Sequence, residues 1–232
     1  MNTRGLLDQL LKSGQDLLQQ KAGGKSGGFS GGKSGNGDLG SLLKGAGGGA
    51  LAAGALGLLL GNKSARKLGG KALTYGGLAA LGVLAYKAYG NWQAQQANAP
   101  TTEPQTLDRL PAPQAEQHSQ AILKALVAAA KADGHVDARE RQLIEEELGK
   151  LTQDAELHRW LDAELNKPLD PADVARAATT PEMAAEMYLA SVLMVDEEHF
   201  MERAYLEELA RQLRLEPGLK IELERQVRQE LA

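Results

Sequence analysis

Glycine placement constrains this chain more than any other feature: 24 of its 27 glycines lie before residue 101. Each glycine inside a helix costs up to about 1 kcal/mol relative to alanine, so this half cannot build the same helical core as the remainder in water. Charge divides at the same place. Residues 1–100 hold 11 Lys/Arg against 3 Asp/Glu, and residues 101–232 hold the other 15 against 27. A glycine-rich basic half followed by a glycine-poor acidic half predicts a modular chain. The acidic half argues against nucleic acid as a partner, because phosphate contacts need an excess of Lys and Arg. The chain has no cysteine, which excludes disulfides, zinc–thiolate sites and cysteine nucleophiles.

Five segments follow from composition. In residues 1–21, Leu6, Leu7, Leu10, Leu11, Leu17 and Leu18 share one helical face. That pattern predicts a short amphipathic helix for a partner or a membrane surface. Its leucines are interrupted by Asp8, Gln9 and Lys12, unlike the continuous apolar core of a cleavable signal peptide. Residues 22–44 are Gly/Ser/Lys-rich and read as a disordered, flexible region. Gly27–Ser34 matches the phosphate-loop pattern GxxxxGK[ST], but no apolar strand precedes it and GGKS already occurs at Gly23–Ser26. Compositional bias accounts for the match, and nucleotide binding is not expected.

Residues 45–92 hold two apolar runs, Gly45–Gly61 and Ala72–Gly90, around the basic loop Asn62–Lys71. The first is 17 residues without a charge, the lower end of the ~17–25 that span a bilayer. Tyr75, Tyr86, Tyr89 and Trp92 flank the second, as an interfacial aromatic belt would. Small residues recur every fourth position (Gly45, Gly49, Ala53, Gly57, Gly61; Ala72, Gly76, Ala80), a face on which membrane helices approach closely and self-associate. The expectation is one or two membrane helices in contact with lipid over 45–90, as a hairpin or a single span, with homo-oligomerisation through the small-residue face. The basic loop favours the cytoplasm. A hairpin then leaves both termini outside, whereas a single span through Gly45–Gly61 leaves the acidic domain in the cytoplasm. Residues 93–113, polar with four prolines, read as an extended tether.

From residue 114 to 232 no segment alternates with period two, and the predicted class is all-α, with about seven helices. Helix-start signals stand at Asp137 with Glu140 three residues on, Thr152, Asp170-Pro171 and Thr180-Pro181. They predict helices over Ala115–Ala132, Asp137–Lys150, Gln153–Asn166, Pro181–Val195, Phe200–Leu213 and Pro217–Leu231. Two of these units repeat one design. An apolar helix reaches an acidic break at Asp133 or Asp196, and a new helix opens with Glu140-Arg141 or Glu202-Arg203. Carboxylates converging from both breaks would hold a hard divalent cation (Ca2+, Mg2+ or Mn2+) through oxygen ligands. As single features these acids are also explained by capping and by the helix dipole. His135 and His199 flank the two breaks. His118 and His158 lie on helices without partner spacing, and Trp160, Tyr188 and Tyr205 read as core. No nucleophile–base pair or glycine fingerprint is present, so an enzyme is not expected.

The stretch Ala132–Glu140 (ADGHVDARE) resembles the first motif of tellurite-resistance TerB-like domains, and Val195–Ala210 resembles its companion. The whole layout is similar to the YebE-type inner-membrane proteins of proteobacteria, a family of unknown function. The resemblance implies a pseudo-two-fold helical bundle with a divalent metal held by Asp133, Asp137, Glu140, Asp196 and Glu202. It also implies a bacterial inner-membrane setting, a stress or envelope context and protein partners, with the C-terminal domain on the cytoplasmic side. The second copy departs from the pattern: Glu197 follows Asp196 where glycine is usual, and Asp196 to Glu202 spans six positions rather than seven.

Overall fold

A computed structural model describes residues 2–9, 78–96, 103–132, 152–195 and 199–231 of the 232-residue chain. Among the described residues there are eight helices and no strand. They are α1 (residues 3–9), α2 (Leu78–Ala94), α3 (Ala112–Ala129), α4 (Ala155–Asn166), α5 (Pro171–Ala175), α6 (Pro181–Met194), α7 (Phe200–Gln212) and α8 (Pro217–Leu231). The all-α class expected from the missing period-two alternation is what forms.

Helix α6 is the centre. Eleven of its 14 residues are buried, so it is apolar nearly all round rather than on one stripe. Its main neighbour is α3, and α2, α8 and α7 cover its other sides. The α3–α6 contact is built on small residues, among them Ala121, Ala125, Ala184, Ala185 and Ala190, all buried. Two buried serines satisfy themselves within their helices: Ser119 Oγ donates to the Ala115 carbonyl at 2.7 Å and Ser191 Oγ to that of Met187 at 3.0 Å.

The starts of these helices follow capping chemistry. Thr180 accepts from the Met183 amide (3.1 Å) ahead of Pro181, and Asp170 from the Ala172 amide (2.9 Å) ahead of Pro171, as the Thr-Pro and Asp-Pro pairs predict. The start of α4 differs. The cap is Asp154, which accepts from the Glu156 and Leu157 amides, while Thr152 accepts from the Asp154 amide one turn earlier. A carboxylate at the N-cap adds a charge–dipole term that the threonine hydroxyl lacks. At the other end of α7, Arg214 adopts φ 55, the left-handed conformation. The Leu215 amide then donates back to Ala210 and the Arg214 amide to Arg211 (both 3.1 Å), a Schellman closure.

Three expectations change at the N-terminal side. First, α1 packs on the bundle itself: Thr3, Leu6 and Leu7 are at most 2% exposed. Second, the described part of the second apolar run belongs to the same core. Leu81, Leu84, Ala85, Ala88 and Tyr89 of α2 are buried against α8 and α6. Among the described residues no helix is long and apolar enough to cross a membrane. The apolar stripe of α2, which resembles part of a span in sequence, is a packing face. Third, the tether expected over 93–113 is pinned over its last part. Thr106 and Leu107 are buried, and Gly82 lies so close to this loop that a Cβ there would sit 2.8 Å from the Asp108 amide nitrogen. Only glycine permits that approach. The run Gly45–Gly61, the basic loop and the glycine-rich region lie outside the described residues.

Candidate functional site

Of the five carboxylates expected to converge, Asp133, Asp137, Glu140 and Asp196 lie outside the described residues, as does His135. Glu202 is described. It sits in the first turn of α7, 2% exposed, with its carboxylate 4.0 Å from Nδ1 of His199, the exposed residue that precedes the helix. Among the described residues no group of three or more His, Asp or Glu side chains could hold a metal ion.

The stems that carry the two acidic breaks are firmly placed. On the first, Ala129 and Ala132 are buried, and Lys131 sends its ammonium to the carbonyls of Glu164 (2.9 Å) and Lys167 (2.6 Å). Those carbonyls end α4, so Lys131 acts as a C-terminal cap in trans. On the second stem, Met194 and Val195 are buried. Because α3 and α6 are each other's main partners, the helices that lead into the two breaks are neighbours.

Two polar constructions were not foreseen from spacing. The first is a buried latch. Glu186, wholly inaccessible at the middle of α6, places Oε2 2.5 Å from His118 Nδ1 on α3, and Oε1 accepts the Leu107 amide at 2.5 Å. An ionised carboxylate can only accept, so Nδ1 carries the proton. The latch joins α3, α6 and the 103–110 loop. Burial, with the Glu182 and Glu186 carboxylates adding to it, pushes the nearby Tyr89 hydroxyl well above its ordinary range. The sequence signal for this pair was Glu186 itself, a lone charge inside an apolar helix, which demands a buried partner.

The second is the dock for α1. The Glu116 carboxylate on α3 accepts the Thr3 amide (2.5 Å) and the Arg4 amide (3.1 Å), and Asp154 accepts the Asn2 amide at 3.0 Å. The Asn2 side chain accepts the Gly5 amide at 3.0 Å. The otherwise orphaned first-turn donors of α1 are therefore met by two carboxylates of the bundle, while Leu6 and Leu7 fill its apolar surface. Asp154 serves two helices at once. The Leu157 amide of α4 first, then the Asn2 and Glu156 amides, hold its carboxyl below the usual range. No local motif announces this arrangement, since its partners are more than a hundred residues apart in sequence.

A shallow cleft between α3, α4 and α5 is lined by Lys124, Lys131, Glu164, Lys167 and Asp173. Its charges are already engaged with one another. Lys124 pairs with Asp173 at 2.9 Å and Lys167 pairs with Glu164. The Lys124 ammonium is the main cause holding the Asp173 carboxyl down.

Comparison with known proteins places this geometry. A family model described as a protein of unknown function (DUF533) matches residues 45–227, well over half of the chain. The chain belongs to the DUF533 family. It is also 33% identical over 114 residues to an uncharacterized protein in the ampR 5' region of Yersinia enterocolitica, covering 49% of this chain and 82% of that protein. No solved structure matches. The DUF533 match takes in α2 together with α3–α7 and most of α8, so the helix that seals one side of α6 falls within the same family span. Residues 2–9 lie before it.

Proposed function

We propose that this DUF533 protein is a non-enzymatic, membrane-tethered binding module whose TerB-like helical bundle captures short amphipathic helices. The observation that carries the reading is the seating of residues 2–9, where two carboxylates take the backbone donors and two leucines are fully buried. Backbone capture plus apolar anchors is how a helix-in-groove surface recognises a ligand. The apolar run Gly45–Gly61 supplies the tether, in a bacterial inner membrane with the bundle on the cytoplasmic side. The test is a titration of a labelled peptide of residues 2–18 into full-length chain carrying Leu6→Asp and Leu7→Asp, which weakens its own segment. Saturable binding that is lost on adding Glu116→Ala supports the reading. Binding indifferent to Glu116, or none, rejects it.

A second reading, favoured by the burial of Glu202 beside the second break, gives the bundle a divalent cation held with Asp133, Asp137, Glu140 and Asp196. A carboxylate held out of water needs a charged or hydrogen-bonded counterpart, and a cation bridging both breaks supplements what Glu202 already contacts. Calorimetry of the full chain with Ca2+, Mg2+ and Mn2+ decides it. Heat that disappears in Asp133→Asn supports the site, and equal heats in both proteins remove it.

A further inference from the structure

The dock of α1 and the burial of α2 together restrict how the chain meets a membrane. Residues 2–9 are held on α3 and on the cap of α4 by three backbone hydrogen bonds and by the buried Thr3, Leu6 and Leu7. Helix α2 is held on α6 and α8 through Leu81, Leu84, Ala85, Ala88 and Tyr89. Both contacts are to one folded unit. The 68 residues from 10 to 77 therefore leave that unit and return to it. A segment whose two ends lie on one face of a bilayer crosses it an even number of times.

Length fixes which even number. A helical crossing needs ~17–25 apolar residues. Within 10–77 the one charge-free run of that length is around Gly45–Gly61; beyond Lys71 only six residues remain before α2. Two crossings do not fit. Resting on the membrane-tether reading above, we infer that the chain is monotopic: residues 2–9 and the bundle from Leu78 onward lie on the same face, and the intervening apolar run associates with that face without crossing. The single-span and hairpin topologies expected from hydropathy are both replaced. The partner is an anionic lipid surface. Lys44 precedes the apolar run, and Lys63, Arg66, Lys67 and Lys71 follow it, so cations flank the run on both sides. Each such residue near an anionic headgroup layer adds about 1 kcal/mol.

Because the natural chain has no cysteine, single reporters can be placed at will. Full-length chain in its native membrane, carrying Asp8→Cys or Arg159→Cys at exposed positions, is treated with a membrane-impermeant maleimide in right-side-out and inverted vesicles. The inference expects both cysteines to label in one orientation and both to lose labelling in the other. Labelling of the two in opposite orientations overturns it while leaving the tether intact. Carbonate extraction is run on the same preparations, and recovery of the chain in the soluble fraction overturns the tether reading and the inference with it. Amide exchange in the vesicles checks the geometric ground. Residues 3–6 are expected to be protected and to lose that protection in Glu116→Ala; the absence of protection in the unmodified chain removes the basis for same-face placement.

Discussion

Arg214 carries a local strain that its neighbours enforce. Its φ of 55 satisfies the carbonyls of Ala210 and Arg211 at the end of α7, but a side chain in the left-handed region costs roughly 1–2 kcal/mol. Glycine removes that strain and gives back about 0.5–1 kcal/mol through the greater entropy of the unfolded chain. Arg214→Gly is therefore expected to raise the unfolding free energy by up to about 1 kcal/mol, read as a shift in urea midpoint at unchanged slope. Nothing in the sequence marks this position, because arginine at a helix end reads as favourable to the dipole and gives no sign of a positive φ. The opposite holds at Thr180 and Asp170, where a capping residue followed by proline made the helix start legible in advance. Caps encoded by two adjacent residues are readable; backbone conformation imposed by packing is not.

Between elements, two carboxylates fasten helices together, and they are expected to respond differently to change. Glu186 has no solvent access and satisfies both His118 and the Leu107 amide. Glu186→Ala leaves both partners buried and unpaired, with an expected loss of about 3–5 kcal/mol in chemical denaturation. Glu186→Gln keeps an acceptor for Leu107 and a polar contact for His118, so its loss is expected to be clearly smaller. Glu222 on α8 instead accepts from Asn91 of α2 at 2.7 Å and from Arg225 and Gln226 of its own helix. The Arg225 guanidinium is the first cause that brings its pKa from an ordinary 4.5 to about 2. A folded value below the unfolded one means that the stabilisation is complete above about pH 4.5 and is lost as pH falls toward 2. Discounted for the half-exposed Arg225, this contribution is about 1–3 kcal/mol. Stability measured from pH 6 to pH 2 is expected to fall less steeply in Glu222→Gln than in the unmodified chain, with the two curves converging at the acid end. Parallel curves would assign the α2–α8 contact to apolar packing alone.

Across the whole molecule, the class, the central helix and the position of α8 were legible because helical periodicity and proline-led starts are local signals. The partition was not. Hydropathy assigned the second apolar run to a bilayer and drew a domain start at residue 114, since a buried helix and a membrane helix share one composition over 15 or so residues. What separates them is a complementary surface elsewhere in the chain, here on α6 and α8, and no window reports that. The candidate metal residues were legible as a repeat, yet convergence of the two breaks is a tertiary fact that periodicity does not carry. The partition has a direct consequence. Without α2, the faces of α6 and α8 that cover Leu81, Leu84, Ala85, Ala88 and Tyr89 would meet water, and Glu222 would lose Asn91. Burial of a large apolar side chain contributes about 1.5–3 kcal/mol, so removing this helix costs an amount comparable with the 5–15 kcal/mol that holds a whole domain together. A fragment of residues 78–232 is expected to melt cooperatively by circular dichroism, while one of residues 112–232 is expected to lose a sharp transition and bind a hydrophobic dye. Equal melting of the two would mean that α2 rests on a bundle that is complete without it, returning the domain boundary to residue 114 and freeing α2 for the membrane.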